Sequence, residues 1–189
     1  MIIRRLLPLL FVGLTFVVPT ANAQRDHLTP QEVDLVKDAQ VLDKRIDVFI
    51  KAADRRIIVL NGGPTTAPNT KQSKKEAKES ELWGELPTGS RAELVSDIAR
   101  ILDEAITNID DVSARDERNP LIAKSLRRLA QATNTIMEQL KPLSVQAKSE
   151  AEVASFEALN ENAQSIREAV AKLPPEPEKP DKKAKKSNE

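Results

Sequence analysis

The stretch that decides the fold runs from Thr29 to Leu60 and reads TPQEVDLVKDAQVLDKRIDVFIKAADRRIIVL. Thr29 and Glu32 have the T-x-x-E spacing of a capping box, in which each side chain accepts a hydrogen bond from the other residue's backbone N–H. Pro30 stands at the first helical position, where its missing N–H costs nothing and its fixed φ suits a helix. We therefore predict that a helix starts here.

Apolar residues recur through this stretch at spacings of three and four, the period that aligns side chains on one helical face. That face comprises Leu35, Ala39, Leu42, Ile46, Phe49, Ala53, Ile57 and Leu60, widened by Val36, Val41, Val48 and Ile50. The opposite face, predicted to lie in water, carries Lys37, Gln40, Lys44, Asp47, Lys51 and Asp54. Helix-terminating residues follow at Asn61, Gly62, Gly63 and Pro64. A single helix about 45 Å long is predicted, with a face broad enough for two neighbouring helices.

The first 23 residues have the features of a cleaved secretory signal. Arg4 and Arg5 precede an apolar run over residues 6–18, and Ala21-Asn22-Ala23 is a small-x-small cleavage site. The apolar run is shorter than the about 20 residues that a membrane-spanning helix needs, and an uncleaved anchor is the alternative. We expect an exported chain, periplasmic or secreted, cleaved after Ala23.

The composition of the rest of the chain favours packed helices. The chain has no cysteine, so it forms no disulfide and carries no lipid-modified cysteine. Aromatic residues make up only 3% and there are 5 glycines, a balance that favours helices over sheets. Removal of the leader leaves a net charge of about −2. No overall field therefore attracts nucleic acid, and we expect no nucleic-acid partner.

Three further helices are predicted downstream, each from a cap followed by an apolar period. Ser90 and Glu93 form a second capping box before a heptad-like stripe of Val95, Ile98, Leu102, Ala105, Ile109 and Val112. Asn119 and Pro120 open the next helix, whose core face is Ile122, Leu126, Leu129, Ala130, Thr133, Ile136, Met137 and Leu140. Ser149 and Glu152 cap the last helix, whose stripe is Val153, Phe156, Leu159, Ala163, Ile166, Val170 and Leu173.

Pro142 leaves one boundary open. A proline costs about 3 kcal/mol in a helix interior, so Pro142 marks either the end of the third helix or a kink in it. The turn to the fourth helix is predicted between Lys141 and Ser149, and Pro174-Pro175 ends that fourth helix.

Two segments lack apolar periodicity. Residues 62–80 are rich in Gly, Pro, Thr and Lys, which indicates a flexible loop, either a solvated linker or a contact for an anionic partner. Residues 174–189 alternate proline with charge, which indicates a disordered tail. The basic cluster in that tail, residues 182–186, is either solubilising or touches an anionic envelope surface.

Between the loop and the second cap lies an apolar segment, Leu82-Trp83-Gly84-Glu85-Leu86-Pro87, which holds the only tryptophan. One interpretation is that Trp83 closes the end of a helical core, because a large amphipathic ring is usually buried. The other is an interaction patch of Leu82, Trp83 and Leu86, since tryptophan is enriched where partners bind.

These elements together predict an all-α fold: an antiparallel four-helix bundle over residues 24–173, with a long first loop and a disordered C-terminal tail. The alternative is a three-helix core whose fourth helix is exchanged in a dimer. A two-stranded coiled coil is disfavoured because the face of the first helix is too wide for an a/d seam.

The sequence offers little for catalysis or cofactor binding. The only histidine, His27, is predicted to lie in a loose mature terminus, and there is no E-x-x-H, C-x-x-C-H, Walker or G-x-G-x-x-G motif. The pairs Asp110-Asp111 and Asp116-Glu117 are predicted to be exposed charges at a helix end. We therefore expect no catalytic residue, no metal site and no cofactor.

The sequence shows two resemblances to known proteins. Leu28-Thr29-Pro30-Gln31-Glu32 resembles the L-T-x-x-Q motif of periplasmic helical chaperones and stress sensors of the Spy and CpxP type, although Glu32 replaces the glutamine and the motif occurs once. Residues 43–56, 97–102 and 109–111 are similar to uncharacterised exported bacterial helical proteins, a likeness that implies no function.

The sequence therefore predicts an exported, non-enzymatic helical bundle that acts through contact with a protein partner or an envelope component, with no transmembrane span in the mature chain. The alternative, which the L-T-P start implies, is a periplasmic chaperone or stress-responsive holdase.

Overall fold

The computed structural model describes residues 25–63 and 81–175, and all regular secondary structure within these ranges is helical. The helices with both ends in these ranges are α1 (Pro30–Asp38), α2 (Leu42–Leu60), α3 (Arg91–Arg115), α4 (Pro120–Val145) and α5 (Glu150–Ala171), and residues 81–83 are helical as well. The predicted signal peptide lies outside the described residues, as do most of the predicted 62–80 loop and of the predicted 174–189 tail.

Helices α2 to α5 form a four-helix bundle, which confirms the predicted fold class. α2 packs against α3 and α4, α5 packs against the same two helices, and α3 meets α4 across the centre. Consecutive helices run in opposite directions. Two ion pairs show that the neighbours α2 and α4 run parallel. Lys124 of α4 pairs with Asp43 of α2, and one turn further along both helices Arg128 pairs with Asp47.

The predicted helix starts are confirmed by their capping contacts. Thr29, Ser90 and Ser149 each accept a hydrogen bond from the backbone N–H three residues later, and the glutamate at that third position accepts one in return. The side chain of Asn119 accepts the N–H of Leu121 at 3.0 Å. These bonds satisfy N–H groups that have no partner within the helix.

The prediction of one continuous helix over residues 29–60 is wrong, because the helix breaks at residues 39–41. α1 then lies antiparallel to α2. The Nε of Arg45, in the first turn of α2, donates to the carbonyl of Ala39 at 3.0 Å, so that this carbonyl, just beyond the end of α1, has a partner.

The reversal at residues 39–41 brings charges at the start of α1 next to charges near the end of α2. Glu32 Oε1 lies 3.0 Å from Arg55 Nε and 2.6 Å from Arg56 Nη1. In an unbroken helix Glu32 and Arg55 would be about 35 Å apart, at about 1.5 Å per residue. Only a reversal of the chain makes these ion pairs.

Pro142 does not end the third predicted helix, because α4 passes through Pro142 and continues to Val145. The turn to α5 covers residues 146–149, within the predicted interval. Proline frees the carbonyl four residues earlier, here that of Glu138, and both residues are exposed. Water can therefore solvate this carbonyl, and only one turn of helix follows the proline.

The core is filled mainly by the predicted apolar stripes. Fully buried side chains include Ile46, Phe49, Ile98, Leu102, Leu129, Ile136, Leu159 and Ile166. α3 buries more than its heptad-like stripe, because Leu94 and Ile101 are also enclosed. Two predicted core positions are wrong, since Val41 is 50% exposed and Val153 is 43% exposed. Among the predicted water-facing residues, Asp47, Lys51 and Asp54 are only half-exposed.

Candidate interaction surface

A surface groove lies between α4 and α5, close to the turn that joins them. It has a volume of about 290 Å³. Its apolar lining is Met137 and Leu140 from α4 and Phe156 and Leu159 from α5. Its polar lining is Glu138, Lys141, Ser144 and Asn160. An apolar floor with a polar rim is the usual anatomy of a site where another molecule binds.

Two exposed valines extend the groove towards the turn. Val145, in the last turn of α4, is 82% exposed, and Val153, in the first turn of α5, is 43% exposed. α4 and α5 run antiparallel, with residues 137–144 beside residues 156–160, so Val145 and Val153 lie at the same level of the hairpin. We call the groove and these two valines the hairpin surface.

An acidic stripe borders the hairpin surface on α5. Glu150, Glu157, Glu161 and Glu168 are all exposed. Their spacings of seven, four and seven residues place them within about 40° of one another around the helix, at about 100° per residue. The outer side of α5 therefore presents one line of negative charge along nearly its whole length.

The interaction patch predicted from the sequence is divided by the structure. Trp83 is 8% exposed and belongs to the hydrophobic core, whereas Leu82 is 59% exposed and Leu86 is half-buried. The guanidinium of Arg55 lies 5.6 Å from the centroid of the Trp83 ring, a distance at which a cation–π attraction operates. The burial of Trp83 thus agrees with the interpretation that its ring closes the end of the core. Of the three patch residues, Leu82 is the most accessible to a partner.

Arg55 also fixes the backbone that follows Trp83. Gly84 has a φ of 67°, a left-handed conformation that glycine adopts without strain. Through its Nη2, Arg55 donates to the carbonyls of Gly84, at 3.3 Å, and of Glu85. One guanidinium therefore links α1, α2 and the segment that precedes α3.

Around these contacts lies a buried ionic network that the apolar pattern did not predict. Glu32, Arg55, Arg56 and Asp97 are each at most 5% exposed. The carboxylate of Asp97 contacts the guanidinium of Arg25 and lies 3.8 Å from Arg56 Nε. Burial raises the pKa of Asp97, although both arginines favour its charged form.

His27 belongs to the same part of the molecule, and the prediction that it lies in a loose terminus is wrong. Its side chain is 16% exposed, and its Nε2 lies 2.7 Å from Glu104 Oε2 on α3. The carbonyl of His27 accepts a hydrogen bond from Arg56 Nη2 at 2.7 Å. These contacts hold residues 25–29 against α2 and α3.

The acidic pairs singled out in the sequence are exposed, as predicted. Asp110, Asp111, Asp116 and Glu117 all face solvent at the end of α3 or just after it. Within residues 25–63 and 81–175 no three histidine or acidic side chains are grouped in a way that could hold a metal ion. In the same ranges no helix is both long and apolar enough to cross a membrane.

A separate ion pair joins the starts of α3 and α5. Arg91 Nε donates to Glu152 Oε1 at 2.7 Å, and the N–H of Lys148 donates to the other carboxylate oxygen at 3.0 Å. These hydrogen bonds lower the pKa of Glu152 from 4.5 to about 2. The carboxylate of Glu152 is therefore more stable in the folded chain than in the unfolded chain.

This pKa shift predicts that part of the protein's loss of stability in acid comes from Glu152. Because the folded-state pKa of Glu152 is depressed, the contribution of its carboxylate to stability is complete above about pH 4.5 and is lost as the pH falls towards 2. Urea unfolding at pH 6 and pH 3 should show a smaller loss of stability for Glu152→Gln than for the wild type. Glu150→Gln, at an exposed site in the same turn, should keep the wild-type pH dependence. Equal losses in all three proteins would contradict this assignment.

Comparisons with known proteins give no relative. No family model, curated protein or solved structure matches the chain.

Proposed function

We propose that this chain is an exported, non-enzymatic helical-bundle protein that works by binding another macromolecule of the cell envelope. Export follows from the predicted leader with its cleavage site after Ala23. Because the sequence has no cysteine, the fold needs no disulfide in the oxidising environment outside the cytoplasm.

The observation that carries this proposal is the hairpin surface. Most large apolar side chains of the bundle are packed in its core, yet Val145 and Val153 are exposed together beside an apolar groove. Grouped apolar side chains within a polar rim favour a binding role more than scattered ones do. Leu82, 59% exposed at a different place in the fold, is a second candidate contact.

The alternative is a periplasmic holdase of the kind that the L-T-P start resembles. A holdase must offer apolar surface to many unfolded chains, and it should suppress aggregation of an unfolded client at near-stoichiometric ratios. A protein that recognises a particular partner should not. Light scattering of a heat-denatured client, with and without the purified protein, separates the two functions.

A charge placed in the hairpin surface should abolish partner binding without unfolding the bundle. Val153 is partly exposed near the start of α5, where an acidic side chain also interacts favourably with the helix dipole. In affinity capture from the native envelope, Val153→Asp should recover about tenfold less of a specific partner than the wild type, as expected for a central contact.

The matched control is Ala158→Asp, an exposed site on the same helix that points about 140° away from Val153. It adds the same charge and should leave capture unchanged. Leu82→Asp tests the second candidate contact in the same assay. If Val153→Asp and Ala158→Asp recover the partner as the wild type does, the hairpin surface is not the binding site.

A further inference from the structure

From the arrangement of charge around the hairpin surface, we infer that its occupant is a second copy of this chain, so that two α4–α5 hairpins pack face to face. This inference rests on the proposed function and names the partner of the same surface. It starts from the charges that the two helices of the hairpin carry on this side. α5 carries the acidic stripe, whereas α4 carries Lys141 and the acidic Glu138 at the groove and Arg127 about 15 Å further along the helix.

The levels of these charges along the hairpin are fixed by its internal contacts. Met137 and Ser144 line the groove with Phe156 and Asn160. Further along the same hairpin, Arg127 donates to the carbonyl of Pro174. In this antiparallel alignment Lys141 lies level with Glu157. Arg127 lies within about one turn of the level of Glu168.

A two-fold axis parallel to the groove brings α4 of one copy onto α5 of the other at the same level. Lys141 then meets Glu157 of the second copy, and Arg127 approaches Glu168 of the second copy. Val145 meets Val153 of the second copy beside the groove. Because the interface is isologous, each of these contacts occurs twice.

One pair of like charges opposes this arrangement. Glu138, exposed on α4, lies level with Glu161. The face of the hairpin from Arg127 to Val145 is about 27 Å long and two helices, or about 20 Å, wide, so each copy contributes about 500 Å². The total area of about 1,000 Å² is at the lower end for specific complexes. The structure therefore assigns a weak dimer, formed at high local concentration.

The test is sedimentation velocity of the mature chain, purified after export, over a wide range of concentration. Lys141→Glu should weaken self-association about tenfold, because it replaces two attractions with two repulsions. The double variant Lys141→Glu with Glu157→Lys should restore association. Lys44→Glu, at an exposed site on α2 far from the groove, should have no effect.

Glu138→Lys gives a second measurement of opposite sign, because it should strengthen association. Circular dichroism of the variant distinguishes this gain from aggregation of a misfolded chain. A wild-type chain that stays monomeric at the highest concentrations overturns the inference, whatever else then binds the groove. Failure of the double variant to restore association also overturns it. In either case, loss of envelope capture by Val153→Asp would leave the proposed function standing.

Discussion

Replacing Glu32 with alanine is expected to lower the free energy of unfolding by about 3 to 5 kcal/mol, because it leaves two buried guanidinium groups without their carboxylate. Arg55 and Arg56 are 5% and 1% exposed and both contact the same oxygen of Glu32. The substitution also removes one half of the capping box at the start of α1. Urea unfolding followed by circular dichroism measures the change.

Asp34→Ala is the matched control for this experiment. Asp34 lies two residues further along α1, is 74% exposed, and meets only the exposed Lys37 at 3.4 Å among the described residues. Its removal should change the free energy of unfolding by less than about 0.5 kcal/mol. Equal effects at Glu32 and Asp34 would show that the buried network contributes nothing beyond an ordinary surface charge.

Phe49→Ala is expected to cost about 3 to 5 kcal/mol, through lost burial and the cavity left in a packed core. Phe49 lies on α2 and is fully buried. α2 packs against both α3 and α4, so the space left by the ring has rigid neighbours on two sides. The shift in the urea midpoint measures the loss.

Val41→Ala serves as the comparison on the same segment. Val41 belongs to the same apolar period in the sequence, but it lies in the break before α2 and is 50% exposed. Its replacement should cost less than about 0.5 kcal/mol. Similar midpoints for Phe49→Ala and the wild type would mean that the ring is not held in the core.

The features that could be predicted from the sequence are those fixed by residues close together in the chain. Each capping box needs only a hydroxyl and a glutamate three residues apart, and all three formed as expected. The same holds for the stripes of α3, α4 and α5, whose helical period requires no knowledge of the neighbouring helices. Local rules were therefore enough for the fold class and for most helix starts.

The break at residues 39–41 could not be predicted in this way. The apolar period continues across the break, so the pattern alone favours one helix. The break brings Glu32 to two arginines more than twenty residues later, a long-range pairing with no local signal in the sequence. Arginine is rarely buried, so the adjacent pair Arg55-Arg56 gave no reason to expect a core position.

The hairpin surface escaped prediction for a related reason. Val153 fits the period of α5, yet it lies on the edge of the stripe, where burial depends on what the next helix places beside it. Of the two interpretations given for Trp83, its burial beside Arg55 agrees with the one in which the ring closes the end of the core. Periodicity identifies a face but does not show where that face stops being covered.

The return of α1 along α2 has a consequence for how uniquely the chain packs. Smooth apolar surfaces rich in alanine and leucine accept a short helix in several alignments of similar energy. A displacement of α1 by a single turn, about 5.4 Å, would part the carboxylate of Glu32 from both guanidinium groups. The ionic contact thus favours one alignment of α1 on α2 over alignments shifted by a turn, a specificity that apolar contacts alone would not supply.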